Sequence, residues 1–218
     1  MATVIFDFDS TLITVESLEK ILAEILVDRP EVMSAIEAVT AQGMAGSCTF
    51  TESLSKRLAL AAPRLEQVRD FGKSAEAWLT PGMGALVRKL RQRQVRVAIV
   101  SGGLVEAILP LAHRLNIPDS AVHAVRLRWD PSGAFAGIDP SDPFSQSKVQ
   151  GLKQVGPDWS RPVIAIGDGM TDFELYQQGF ADHFIAFTKN VKRGQVVQVA
   201  SYVANSVEEL ESVLERWI

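Results

Sequence analysis

Two carboxylates one residue apart, Asp7 and Asp9, close the apolar run Val4-Ile5-Phe6 and are followed by two hydroxyl residues, Ser10 and Thr11. Like charges this close are costly unless a cation lies between them or one binds a proton. The pair therefore suits metal binding or proton transfer. Three other stretches offer compatible chemistry. Ser101-Gly102-Gly103 presents a hydroxyl and backbone N–H groups suited to an anion at a helix start. Gly167-Asp168-Gly169-Met170-Thr171-Asp172 flanks an aspartate with glycines, which permits a tight turn and close ligand approach. Asp172, four residues after Asp168, can support that carboxylate from behind. Lys148, in Ser145-Gln146-Ser147-Lys148, reads locally as a surface residue. Each stretch alone also has a plain structural reading: an Asx turn, an N-cap serine, a glycine turn.

The elements around them decide how they are placed. Val4-Ile5-Phe6 is short and continuously apolar, as in a strand buried on both faces of a parallel sheet. Strand alternation would aim Asp7 and Asp9 the same way at its carboxyl end, where open α/β sheets bind ligands. Four helices are expected next. Leu18, Ile21, Leu22, Ile25 and Leu26 mark the first. Pro30 starts the second, which Gly43 and Gly46 break. Thr49 and Glu52 form a capping box on the third, whose face reads Phe50, Leu54, Arg57, Ala61. The fourth runs from Arg64 to Ala77 with Gly72 as a weak point. A parallel crossover needs only about a dozen residues, so this excess is enough for a small helical bundle. From Thr80 onward strands and helices alternate: Val95–Val100 leads into a sharp turn at Ser101-Gly102-Gly103 and a helix from Leu104. A hairpin around Pro131-Ser132-Gly133 and a strand at Val163–Ile166 follow. The class is α/β, a doubly wound parallel sheet with helices on both faces.

Bulk properties exclude some functions. The 218 residues carry a formal net charge of −4, which argues against binding nucleic acid or an anionic membrane. Within residues 14–78 seven basic residues face ten acidic ones, so the helical stretch is no basic platform. Arg88, Lys89, Arg91, Arg93 and Arg96 cluster at a helix C-terminus, where cations offset the helix dipole. The single cysteine, Cys48, rules out an internal disulfide and fits a reducing cytoplasm. No signal peptide is visible and no stretch reaches the length of a membrane span.

Taken together and in this order, these segments resemble the haloacid dehalogenase superfamily of aspartate-nucleophile phosphohydrolases. Within it the chain is similar to the phosphoserine phosphatase family over nearly its whole length. The likeness extends to Glu16, the Met44…Phe50…Arg57 spacing, Leu79-Thr80-Pro81-Gly82, Leu115-Asn116-Ile117-Pro118 and Asn190-Val191. It implies a Rossmann-like core from residues 1–13 and 79–218 and a helical cap from residues 14–78.

It also implies roles. Asp7 would be the nucleophile and Asp9 the proton shuttle. Mg²⁺ would be held by Asp7, Asp168 and the backbone carbonyl of Asp9. Ser101, Gly102 and Lys148 would bind the phosphoryl group, with Thr171 nearby, and Thr11 and Asp172 would support the site. Glu16 and Arg57 would grip the ammonium and carboxylate of a small phosphomonoester, with Met44 and Phe50 closing the lid. The expected reaction is hydrolysis of O-phospho-L-serine in serine biosynthesis, by a cytoplasmic monomer or homodimer. The alternative is another small phosphorylated acid, or phosphoryl transfer to homoserine. Thr171, Leu104 and Ser145-Gln146-Ser147 depart from common family patterns and touch the pocket rather than the catalytic groups.

Overall fold

The computed structural model describes residues 2–44 and 47–218. A six-stranded sheet brings the predicted strand-end residues Asp7, Ser101 and Asp168 to one edge. Its order is β3-β2-β1-β6-β7-β8, with all neighbours parallel. The strands are β1 (Thr3–Phe6), β2 (Arg96–Leu104), β3 (Val122–Val125), β6 (Val163–Gly167), β7 (His183–Phe187) and β8 (Tyr202–Ala204). β4 (Leu127–Trp129) and β5 (Phe135–Ile138) form the separate antiparallel hairpin. All four residues of β1 are buried, as its apolar run requires of a central parallel strand. Phe6 is in register with Ile99 of β2 and Ile166 of β6. Asp7, Ser101 and Asp168 therefore emerge together one or two residues later. The chain builds outward from β1 first to β2 and β3, then to β6, so β1/β6 is the point where strand order reverses and a ligand crevice opens.

Four helices are inserted between β1 and the next core helix: α1 (Ser17–Ile25), α2 (Pro30–Met44), α3 (Phe50–Ala61) and α4 (Leu65–Ser74). The chain leaves and re-enters the core side by side, with Ile13 bridged to Leu79 and the Thr14 N–H donating to the Trp78 carbonyl at 2.8 Å. Thr49 and Glu52 make the capping box on α3, the Glu52 carboxylate accepting from the Thr49 N–H at 2.9 Å. Helix α2 continues through Gly43 to Met44, against the expected break, while Gly46 lies outside the described residues.

Gly72 is no weak point. It is buried where α4 crosses α6 (Val105–Arg114), and a Cβ there would lie 2.9 Å from the Ala107 carbonyl oxygen and 2.9 Å from Cγ of Pro110. Only a glycine lets the two backbones approach this closely. The hairpin pins the same region: the Phe135 N–H donates to the Pro63 carbonyl at 3.1 Å and the Leu65 N–H to the Gly133 carbonyl at 2.9 Å. The bundle is thus seated on the core at α4, while α1–α3 cover the crevice.

Strand β2 differs from its expected limits. It runs through Ser101, Gly102 and Gly103 to Leu104, and α6 begins only at Val105. A register shift against β3 between Val100 and Leu104 absorbs the irregularity. The remaining core helices are α5 (Met83–Gln92), α7 (Lys148–Val155), α8 (Met170–Gln177), α9 (Gly194–Val199) and α10 (Val207–Leu214). The basic cluster at the end of α5 meets the C-terminal segment: Arg93 donates to the Ile218 carbonyl at 2.7 Å and Lys89 pairs with Glu211. No helix among the described residues is long and apolar enough to cross a membrane.

The α4–α6 crossing makes a prediction. Helix propensity alone favours Ala over Gly by about 1 kcal/mol, whereas forcing a methyl against a fixed backbone costs about 1–3 kcal/mol. Gly72→Ala should therefore lower the denaturant midpoint, and a raised midpoint would show that α4 can move off α6.

Candidate active site

The site is a cavity of about 630 Å³ between the carboxyl edge of the sheet and α1–α3. Asp7, Asp9, Ser101, Gly102, Lys148, Asp168 and Thr171 line its core side, and Glu16, Glu19, Phe50 and Arg57 its outer side. Asp7 directly follows β1. Asp9 does not lie on the strand; β1 ends at Phe6, and a tight turn over Phe8–Leu12 aims the second carboxylate. That turn requires Ser10 to take a left-handed conformation, φ 52°. Asn190 holds it from outside, its side-chain N–H groups directed at the carbonyls of Ser10 (3.1 Å) and Ile13 (3.3 Å) and at the Thr80 hydroxyl (2.7 Å).

The two aspartates are prepared differently. Oδ1 of Asp7 accepts from the Phe8 N–H at 2.7 Å and lies 2.8 Å from Nζ of Lys148, while Oδ2 has no hydrogen-bond partner among the described residues. Asp9 accepts from the Ser17 N–H at 2.8 Å. Burial, then the charges of Glu16 and Asp7, raise its carboxyl well above the usual range. One oxygen of Asp7 is therefore left to act, and Asp9 is disposed to hold a proton.

Lys148 is buried, and its ammonium bridges Asp7 at 2.8 Å and Asp172 at 2.6 Å. Burial opposes its charge, but Asp172 and Asp7 overcome that and hold it above the ordinary lysine value. The lysine is not a surface residue. It opens α7 behind the cap Ser147, whose hydroxyl accepts from the Gln150 N–H at 3.0 Å. Asp172 accepts from Lys148 and from the Gly169 N–H (3.1 Å), so these, and not Asp168 as expected, are the groups it supports. A Cβ at Gly167 would lie 2.1 Å from the Asp172 carboxylate, so the glycine makes room for it.

Asp168 is held by a residue that sequence reasoning missed. Nε of Arg193 donates to Asp168 Oδ2 at 2.8 Å, and its NH2 group lies 3.4 Å from Glu16 Oε1. Burial and then the Asp7 charge raise the Asp168 carboxyl, with Arg193 and Lys148 pulling the other way. Arg193 stands three residues beyond Asn190, at the start of α9, a helix the periodicity did not reveal. Its only signal was its place in a stretch already noted for its likeness. The Thr11 hydroxyl lies 3.5 Å from Asp168 Oδ1. The fit to a divalent cation is good: one oxygen each of Asp7, Asp168 and Asp172 lie within 4.8 Å of one another, and hard cations take such oxygen ligands. Asp172 already faces Lys148 and Gly169, and Asp168 accepts from Arg193, while Oδ2 of Asp7 stands open toward the same point.

Ser101 is buried in β2 and its hydroxyl oxygen accepts from the Gly103 N–H at 3.0 Å, which leaves the hydroxyl proton to donate. Its setting is a bulged strand end and not the helix start expected. Across the cavity, Phe50 opens α3 with its ring against Gly102; a Cβ there would be 3.2 Å from Cζ. The neighbouring Thr51 hydroxyl donates to the Ser145 carbonyl at 2.6 Å. Arg57 is only 8% exposed and its NH1 donates to Glu19 at 2.9 Å. Thr171 lines the wall at the start of α8. Met44 ends α2, and its side chain lies outside the described residues.

Comparison with known proteins agrees with this geometry. The family model for haloacid dehalogenase-like hydrolases matches residues 4–177. Phosphoserine phosphatase of Homo sapiens is 37% identical over 215 residues, which cover 97% of this chain and 92% of that one. The crystal structure of a phosphoserine phosphohydrolase-like protein from Francisella tularensis superposes with a TM-score of 0.90 at 41% identity, covering 98% of this chain and all of the other. A phospho-aspartyl intermediate analogue of phosphoserine phosphatase shares the fold, with a TM-score of 0.72 at 24% identity over 97% of this chain and 98% of that one. The carboxylates at the ends of β1 and β6, the buried lysine beside Asp7 and these likenesses place the chain in the phosphoserine phosphatase family of the haloacid dehalogenase-like hydrolases.

Proposed function

We propose that the protein hydrolyses O-phospho-L-serine to L-serine and phosphate with Mg²⁺ as its cation. The observation that carries this reading is one cavity that joins two kinds of group. On one side stand an open carboxylate oxygen, a buried ammonium and a buried hydroxyl; on the other stand a buried arginine and two glutamates. The first set suits a phosphoryl group and the second a small zwitterion.

In this reading Oδ2 of Asp7 attacks phosphorus, and the bond to the serine oxygen breaks as Asp9 gives that oxygen its proton. The aspartyl-phosphate is then cleaved by a water that loses its proton to Asp9, which frees the Asp7 carboxylate and phosphate. Using Asp9 first as acid and then as base divides one difficult hydrolysis into two steps. Its raised affinity for protons is what the first step needs. Lys148, the Ser101 hydroxyl and the Gly102 N–H take up charge on the phosphoryl oxygens. Haloacid dehalogenase-like phosphatases are generally metal-dependent. Asp7, Asp168 and the Asp9 carbonyl would hold Mg²⁺, which supplies charge neutralisation at the phosphoryl group.

Glu16 and Arg57 receive the ammonium and carboxylate. Residues 14–78 act as the cap over a core of residues 1–13 and 79–218, and Phe50 and Met44 keep water from the intermediate. With α4 seated on α6, opening belongs to α1–α3. A transfer of the phosphoryl group to another hydroxyl compound finds no support in a particular residue of the cavity.

A panel of phosphoesters assayed with Mg²⁺ tests the substrate: kcat/KM highest for phosphoserine is expected, and equal values across the panel would overturn the assignment. Asp7→Asn should abolish turnover while leaving circular dichroism unchanged; retained activity would remove Asp7 from the nucleophile role. Arg57→Ala should raise KM for phosphoserine by about tenfold or more and leave KM for para-nitrophenyl phosphate nearly as it was.

Metal binding should also depend on pH. The raised Asp9 and Asp168 carboxyls bind protons in the native state where the unfolded chain would have lost them. Metal-free protein therefore loses stability as pH rises through those folded-state values. Protons and cation compete for the Asp168 carboxylate, so added Mg²⁺ should raise Tm more at about pH 7.5 than at about pH 5. An equal shift at both would place the cation away from Asp168.

A further inference from the structure

One like-charge pair stands out along the cavity wall. From Asp168 the charges alternate: Arg193 bonds Asp168 at 2.8 Å and reaches Glu16 at 3.4 Å. At the far end Glu19 pairs with Arg57 at 2.9 Å. Between these halves two negative groups, Glu16 and Glu19, follow one another in the row, the first paired with Arg193 and the second with Arg57. They lie three apart at the start of α1, hence on one helix face, and both line the cavity. Burial first, and Glu19 among the neighbouring charges, raise the Glu16 carboxyl, while its bond from the Ser10 hydroxyl opposes this. The nearby Lys20 ammonium is turned away over the Trp78 ring, 4.6 Å from its centre. The Arg57 guanidinium is incompletely satisfied: its Nε–H is buried without a partner.

We propose that Glu19 is a second ligand of the substrate's α-ammonium group, which completes the alternating row by entering between Glu16 and Glu19. The carboxylate of the same amino acid then lies against Arg57 on the side that Glu19 leaves open. Glu19 thus does two things at once: it orients Arg57 through NH1 and offers its other oxygen to the ammonium. The consequence is a site selective for a complete α-amino-acid end over a phosphoester carrying only the carboxylate. This inference rests on the reading of phosphoserine as substrate.

Three phosphoesters separate the possibilities: O-phosphoserine, 3-phosphooxypropanoate, which lacks the ammonium, and phosphoethanolamine, which lacks the carboxylate. In Glu19→Gln, the kcat/KM preference for phosphoserine over 3-phosphooxypropanoate should fall by about tenfold or more, the scale of one lost hydrogen bond to a charged group. The preference for phosphoethanolamine over 3-phosphooxypropanoate should fall with it, and Glu19→Asp should recover part of both. If phosphoserine and 3-phosphooxypropanoate lose equally while phosphoethanolamine is spared, Glu19 only positions Arg57 and the proposal fails. If KM falls for both carboxylates, Glu19 merely occupies the arginine until substrate displaces it, and the proposal also fails. The wild-type enzyme reports on the underlying reading by itself, since no preference for phosphoserine over the two truncated compounds would overturn the substrate assignment whatever the variants do.

Discussion

The Lys148 ammonium, buried between Asp7 and Asp172, is the contact on which the rest of the site depends. Three charges are withdrawn from water within a few ångströms of one another. Desolvation would make any one of them untenable, and removing one partner of a buried ion pair costs about 3–5 kcal/mol. The arrangement persists because each charge has more than one partner. Asp172 also accepts from the Gly169 N–H, and Asp7 also accepts from the Phe8 N–H. Gly167 has no side chain because the Asp172 carboxylate occupies that space. The strand ends of β1 and β6 and the first residue of α7 are therefore fixed relative to one another by electrostatics as well as by the sheet. A carboxylate held in this way reorganises little when charge shifts around it, which is where electrostatic catalysis gains most.

A second row of charges runs from the sheet edge to the helical insertion. Arg193 touches both Asp168, at the end of β6, and Glu16, at the entrance to the insertion. Ser10 joins the same network, since the turn that carries Asp9 bonds to Glu16 at 2.7 Å. The glutamate at the cavity entrance is thereby tied by hydrogen bonds to Asp168 through Arg193 and to the turn bearing Asp9 through Ser10. The helices above contribute little to this core; their part is to bring Arg57, Phe50 and Glu19 over the crevice. The seating of α4 on α6 through Gly72 and the docking of the hairpin on Pro63–Leu65 make that placement reproducible.

Much of this was legible in the chain itself. The apolar runs at Val4-Ile5-Phe6 and Val163–Ile166 read as buried strands because a parallel sheet covers both faces of its central strands, and that leaves a continuous apolar signature. The polar residues that stop those runs are then at a ligand-binding edge by construction. Thr49 with Glu52 was readable for a local reason, since a capping box is made within four residues. Local patterns failed where a distant partner decides the outcome. Ser101-Gly102-Gly103 resembles a turn, yet pairing with β3 keeps it extended as far as Leu104. Gly72 resembles a helix breaker, and only the crossing helix gives it a purpose. Lys148 resembles a surface lysine because its two carboxylates lie 24 and 141 positions away.

By itself, then, the amino-acid sequence determined the kind of chemistry: which carboxylates, hydroxyls and cations end the strands, and that a helical insertion must follow the first. Those are properties of residue type and short-range spacing. The tertiary structure decided which of these groups meet. It assigned Asp172 to Lys148 rather than Asp168 and brought Arg193 between Asp168 and Glu16. It also set Glu19 against Arg57 and left one oxygen of Asp7 free. The reason is physical: ionic and hydrogen-bonding partners are selected by distances of about 3 Å in space, and separation along the chain carries almost no information about them.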